Sequence, residues 1–168
     1  FTPDSSEAWI PNFNSVAPSS TVSVVRTSDD TVIATIPVQR RPIWVAIRPQ
    51  GDKAYVANNF TSSVSIIDVN THMNTLMSPI TMGMGIGFSP NHIAITPNGS
   101  EAYVANVNSN TVSVINTATD TVSHVLAVGM NPYFTAITPD GARAYVANNG
   151  SNDVSVIDIA THTVLPAT

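Results

Sequence analysis

Tyr103-Val104-Ala105-Asn106 and, after four intervening residues, Thr111-Val112-Ser113-Val114-Ile115-Asn116 decide the fold, because both segments recur along the chain. The first returns as Tyr55-Val56-Ala57-Asn58 and Tyr145-Val146-Ala147-Asn148, and in altered form as Trp9-Ile10-Pro11-Asn12. The second returns as Val22-Ser23-Val24, Val64-Ser65-Ile66 and Val154-Ser155-Val156. A turn signal precedes each pair: Thr2-Pro3-Asp4-Ser5, Arg48-Pro49-Gln50-Gly51, Thr96-Pro97-Asn98-Gly99 and Thr138-Pro139-Asp140-Gly141. Its prolines stand 46, 48 and 42 residues apart. A last segment begins each unit's end, at Thr31-Val32, Thr75-Leu76, Thr121-Val122 and Thr163-Val164. The chain is therefore four copies of a unit of about 42–48 residues, near 1–42, 43–90, 91–132 and 133–168.

Each unit reads as four short strands, a to d. Strand a precedes the proline turn, as Trp44–Ile47, Ile93–Ile95 and Phe134–Ile137. Proline presets the second turn position, Asp or Asn bonds the local backbone, and glycine closes the turn. Strand b is Ala54–Asn58, strand c Thr111–Asn116, strand d Thr31–Val38 or Thr121–Val128, each with its equivalents. No stretch carries a 3.6-residue apolar stripe with helix caps, so helix content is expected near zero. Strand c is apolar on both faces, which demands cover on both. Its recurrent small residues, Ser23, Ser65, Ser113 and Ser155, let neighbouring sheets approach. Four-stranded antiparallel sheets packed face to face about an axis make a β-propeller, and the period fits one. The expected class is all-β.

These motifs resemble the YVTN family of β-propeller repeats, across essentially the whole chain. The first unit departs from the pattern at Trp9-Ile10-Pro11-Asn12, where Pro11 cannot donate to a ladder. The resemblance implies a ring of seven blades. It also implies a setting like that of archaeal surface-layer proteins or of secreted and periplasmic bacterial proteins. Lactonase-like enzymes and redox-enzyme subunits are related propellers. The four units are thus expected to be a partial ring, completed by further blades of the same protein or by association with other chains, including a second copy.

Composition limits the partners. Charged residues are 10% of the chain, the net charge is −5, and Lys53 is the one lysine. No basic patch is available to displace phosphate counterions, so nucleic acid is not expected. There is no cysteine, hence no disulfide or thiolate site. No run of 18 apolar residues offers a membrane span. The sequence opens at Phe1 without a basic-apolar leader, consistent with a signal peptide removed or not included. Secretion, the periplasm or the cell surface is the expected location.

The b–c and d–a connections share one end of an up-and-down blade, which makes that end the binding face. Two insertions fall there, in Asn12–Thr21 and Ser78–Asn91. The second contains Met82-Gly83-Met84-Gly85, which lacks the following helix and lysine of a phosphate loop. With His92 its methionines offer soft-metal ligands, against the simpler reading of an apolar cover; no cofactor is expected. His72 and His162 share a turn position with Asp120 and read as solvated, and His124 reads as solvent-facing. His92 aligns with Trp44 and Phe134 at the start of strand a, nearest the channel. With Ile43, Asn91 and Tyr133 they form the candidate ligand site at the channel mouth; the alternative is that they plug the channel. No catalytic set is visible. The main functional expectation is a non-catalytic surface propeller used for binding or assembly. The alternative is an enzyme or redox-complex subunit with its site at the channel mouth.

Overall fold

The computed structural model describes residues 1–13, 20–75, 79–81 and 85–166. They form four antiparallel sheets in chain order. The first has three strands, β1 (Glu7–Asn12), β2 (Thr21–Arg26) and β3 (Thr31–Pro37). The second holds β4 (Pro42–Ile47), β5 (Lys53–Asn58), β6 (Ser63–Asp68) and β7 (Met73–Asn74), with β8 (Ile80–Thr81) also paired to β6. The third holds β9 (Pro90–Ile95), β10 (Glu101–Asn106), β11 (Thr111–Asn116) and β12 (Thr121–Ala127). The fourth holds β13 (Pro132–Ile137), β14 (Arg143–Asn148), β15 (Asp153–Asp158) and β16 (Thr163–Val164). One 3-10 turn, Val107–Ser109, is the helical element among the described residues.

Three apolar layers join the sheets in series. Trp9, Val22 and Val24 of the first meet Ala54, Val56 and Ile67 of the second. Tyr55, Ala57, Val64 and Ile66 on the opposite face meet Ile93, Ala102, Val104 and Ile115 of the third. Tyr103, Val112 and Val114 then meet Ala144, Val146 and Ile157 of the fourth. The two middle sheets are covered on both sides, as the doubly apolar strand c requires. The a strands β4, β9 and β13 pack side by side, whereas among the described residues the outer strands touch sparsely, as at β3–β7 and β12–β16. Sheets that converge inside and splay outside make a fan, the geometry of a partial β-propeller.

The recurrent residues have jobs beyond size. Asn106 Nδ2 donates to Ser113 Oγ at 2.9 Å, and Asn148 to Ser155 at 2.9 Å, as Asn12 does to Ser23 at 2.8 Å. The serine of strand c is thus a polar anchor for the asparagine that ends strand b, not merely a small residue. The proline turns close as expected, Gly51, Gly99 and Gly141 each donating to the first turn carbonyl at 2.8 Å with φ near 70°. Asp68, Asn116 and Asp158 accept turn N–H groups, also as expected. Pro11 lies in β1, the edge strand of its sheet, where a missing donor is tolerated.

Two boundaries differ from the sequence reading. Strands a begin earlier, at Pro42, Pro90 and Pro132, because a bulge follows each proline. In the second sheet, strand d begins at Met73, not Thr75: Met73 pairs with Asp68 as Thr121 pairs with Asn116. The insertion residues 14–19, 76–78 and 82–84, including Met82 and Met84, lie outside the described residues.

Candidate functional site at the inner strand ends

The d–a and b–c connections meet at one end of the fan and hydrogen-bond to each other. Asn59 N donates to Arg41 O at 2.9 Å, Val107 N to Ser89 O at 3.1 Å and Asn149 N to Asn131 O at 3.0 Å. The accepting residues have left-handed backbones, with φ of 59°, 56° and 50°. A proline follows each, then the bulge. Pro42 opposes Asn58 and Trp44 opposes Ala57, so Ile43 is the extra residue. In the same way Asn91 is extra between Pro90 and His92, and Tyr133 between Pro132 and Phe134. Bulges re-aim side chains beside binding sites. Here they put every one of the six candidate residues either on a bulge or directly after it.

The structure brings all six together around a concavity of about 300 Å³, to which Phe13, Arg41 and Asn59 also contribute. His92 sits between two rings, 4.2 Å from the Trp44 centroid and 3.8 Å from that of Phe134. Trp44 and Phe134 meet edge to face at 6.3 Å. The contacts advance from sheet to sheet. Trp44 Nε1 donates to Ile93 O at 3.0 Å, Asn91 Nδ2 donates to Tyr133 O at 2.9 Å, and Thr135 N donates to His92 Nδ1 at 3.4 Å.

His92 is 5% exposed, and its Nε2 has no hydrogen-bond partner among the described residues; the same holds for the adjacent Thr135 Oγ1. Burial lowers the imidazole pKa to about 4, so the ring is neutral near pH 7. An Nδ1 that accepts a main-chain N–H leaves the proton on Nε2. His92 is therefore a neutral donor with a free N–H, not a base. The Arg41 guanidinium, 4.8 Å above the Phe13 ring, brings positive charge to the same rim. Together these groups are suited to hold a carbonyl or carboxylate oxygen against an aromatic wall.

Sequence reasoning missed Arg41, Asn59 and Phe13. Arg41 had a signal, its place just ahead of Pro42-Ile43-Trp44, but its equivalents are Ser89 and Asn131, so the repeat disguised it. Three histidines need correction or enlargement. His72 and His162 are not solvated turn residues: Nε2 of His72 lies 2.9 Å from Glu7 Oε1, and that of His162 lies 2.8 Å from Glu101 Oε1, each across a sheet boundary. Asp120 likewise takes Lys53 Nζ at 2.7 Å. The exposed His124 stacks on His162 at 4.0 Å. No cluster of three or more His, Cys, Asp or Glu side chains arranged for a metal occurs among the described residues.

Comparison with known proteins places these observations. Residues 42–167 match the family described as Lactonase, 7-bladed beta-propeller. Kuenenia stuttgartiensis hydrazine synthase is 27% identical, with a TM-score of 0.83 over 99% of this chain and 46% of its own. A functionally unknown protein from Desulfotomaculum acetoxidans DSM 771 is 20% identical, with a TM-score of 0.82 over 100% of this chain and 53% of its own. U3-55K, at 14% identity and a TM-score of 0.80 over 98% of this chain and 49% of its own, shares the fold. No curated protein matches the sequence. The chain spans about half the length of the solved structures it matches.

Proposed function

The chain belongs to the seven-bladed β-propeller lactonase family, and from that premise we propose that it supplies one wall of a small-molecule site at a propeller channel mouth, where a cyclic ester binds and is hydrolysed. The observation that carries the reading is the buried, unpartnered Nε2–H of His92, a residue that lines the concavity beside Arg41. A donor fixed in a dry aromatic setting stabilises negative charge growing on a carbonyl oxygen as water adds. His92 performs that role without changing its own protonation. Arg41 orients a substrate carboxylate or oxygen-rich tail, and Trp44 and Phe134 keep water from His92. The remaining wall comes from blades beyond this fan, in the same protein or in a partner.

A scaffold-only role draws no comparable support from any residue, so the enzyme reading replaces it. The likeness to hydrazine synthase supports a second version, in which the propeller is a domain of a redox enzyme; that version needs a bound redox group elsewhere in the protein. The test is pH-stat hydrolysis of five- and six-membered lactones by the full-length protein and its His92→Ala and His92→Gln variants. Loss of an oxyanion donor is expected to lower kcat by about a hundredfold, as for other such donors. Unchanged turnover in His92→Ala, with the fold retained by circular dichroism, sinks the proposal.

A further inference from the structure

The inner strands align column by column, as Trp44-Val45-Ala46-Ile47, His92-Ile93-Ala94-Ile95 and Phe134-Thr135-Ala136-Ile137. Trp44 and His92 reach the sheet after their own, whereas Val45 and Ile93 pack into the apolar layer shared with the sheet before. The boundary between the second and third sheets therefore sets Trp44 against Ile93, and Trp44 Nε1 donates to Ile93 O there. The next boundary sets His92 against Thr135, whose N–H donates to His92 Nδ1 at 3.4 Å. Both facing positions are polar at this one boundary.

Neither polar group is used up by the fold. Thr135 is 1% exposed and His92 5%, and Thr135 Oγ1 and His92 Nε2 are buried without a hydrogen-bond partner among the described residues. The other such atoms belong to Asp52, Asn74, Asn106 and Asn148, in a turn, an outer strand or at the ends of strands b. Only His92 and Thr135 hold theirs on inner strands. Valine or isoleucine fills the Thr135 column elsewhere, so packing does not require the hydroxyl. Leaving it unpaired inside the protein costs stability. A hydroxyl and an N–H left so at facing positions are complementary to one atom that accepts from both, an oxygen.

We propose that Thr135 Oγ1–H is the second donor of the site, and that it and His92 Nε2–H together hold the carbonyl oxygen of the ring that opens. This rests on the lactone reading of the site. As water bonds to the carbonyl carbon, charge builds on that oxygen between the two donors. The ring C–O bond then breaks, the ring oxygen takes one proton of the added water, and the open hydroxy acid leaves. Both donors are buried, so the Trp44 ring, 4.2 Å from the imidazole, swings aside to admit the carbonyl.

Thr135→Val and Thr135→Ser in the full-length protein test this. Thr135→Val copies its column and removes an unpaired hydroxyl, so the urea midpoint is expected to rise. Its kcat for five- and six-membered lactones is expected to fall about a hundredfold, as on loss of one oxyanion donor, with KM little changed. Thr135→Ser is expected to recover most of that loss. A role in the fold alone gives the opposite pattern, a lower midpoint with unchanged kcat.

Lactams of the same ring sizes carry the carbonyl and resist hydrolysis, which gives a readout independent of turnover. On lactam binding the NMR signals of His92 Nε2–H, the Thr135 methyl and the Trp44 indole N–H are expected to shift together. Thr135→Val is expected to weaken that binding about tenfold, the size of one hydrogen bond. Shifts without hydrolysis of any lactone keep the donor pair and remove the hydrolysis reading. Lactone turnover that depends on His92 but ignores Thr135→Val removes the pair and keeps hydrolysis. Lactams that leave the His92 and Thr135 signals unmoved also overturn the pair.

Discussion

The imidazole Nδ1 of His92 accepts the main-chain N–H of Thr135, a residue of the next sheet lying just past Phe134, His92's own counterpart there. One hydrogen bond thus links two sheets and fixes a tautomer. The buried ring is polarised to offer a proton, and that single arrangement leads to the first prediction.

His92 is neutral in the folded protein down to about pH 4 and titrates near 6.5 when unfolded. Its folded value is depressed, so the neutral ring favours the fold above pH 6.5, and that contribution is lost as pH falls toward 4. The unfolded chain takes up the proton first, and stability drops by up to about 3 kcal/mol across this window. Urea melts from pH 7 to pH 4 check this, and His92→Gln is expected to flatten that part of the profile. Nitrogen NMR of the ring is expected to show the proton on Nε2.

Trp44 covers His92, so Trp44→Ala admits water to the imidazole. The His92 pKa is then expected to climb from about 4 toward the ordinary value, because desolvation is its cause. A proton NMR titration of the ring resonances reads the change, and a pKa that stays put shows that Trp44 is not the shield.

Asn106→Ala removes the amide that holds the buried Ser113 hydroxyl and contacts Thr111. Loss of a buried hydrogen-bond partner is expected to cost about 1–3 kcal/mol. The effect appears as a lower urea midpoint with an unchanged slope. The same change at Asn12, in the edge strand of the first sheet, is expected to cost less.

Asp120 accepts from both Lys53 and the Tyr55 hydroxyl across a sheet boundary. Burial and the Asp120 carboxylate hold that phenol well above its usual range. Asp120→Ala strands the Tyr55 hydroxyl, leaves Lys53 its bond to Thr117 O at 3.0 Å, and is expected to destabilise by about 2 kcal/mol. In that background Tyr55→Phe is expected to be nearly harmless, giving a coupling energy of about 1 kcal/mol in a double-mutant cycle. Additive losses would show that the two groups do not share one acceptor energetically.

The sheet order was legible because each strand repeats with its turn. Val112-Ser113-Val114 and its copies carry both faces of a middle sheet in one short string, which leaves stacking about a centre as the consistent packing. The candidate site was legible for a related reason: His92, Trp44 and Phe134 occupy one repeat column, and the ring makes a column into a neighbourhood. The contacts that His72, Asp120 and His162 make across sheet boundaries were not. Comparing His72 with Asp120 and His162 down their own column suggests an indifferent turn. Their partners stand in a different column of the preceding unit, about 60 residues away, and only the left-handed turn aims them there. The bulges were hidden too, since Pro42, Pro90 and Pro132 stand at the limits of the repeat units and are in fact strand residues.

Fastening strand b to strand c through an asparagine and a serine has a consequence for how such a chain changes over generations. The register of every wedge is locked from within, so a loop above it can lengthen without sliding the strands below. The second unit is longer than the third between its outer strand and the next inner one, while His92 keeps its station beside Trp44. New specificities can be tried at the rim while the frame beneath stays as inherited.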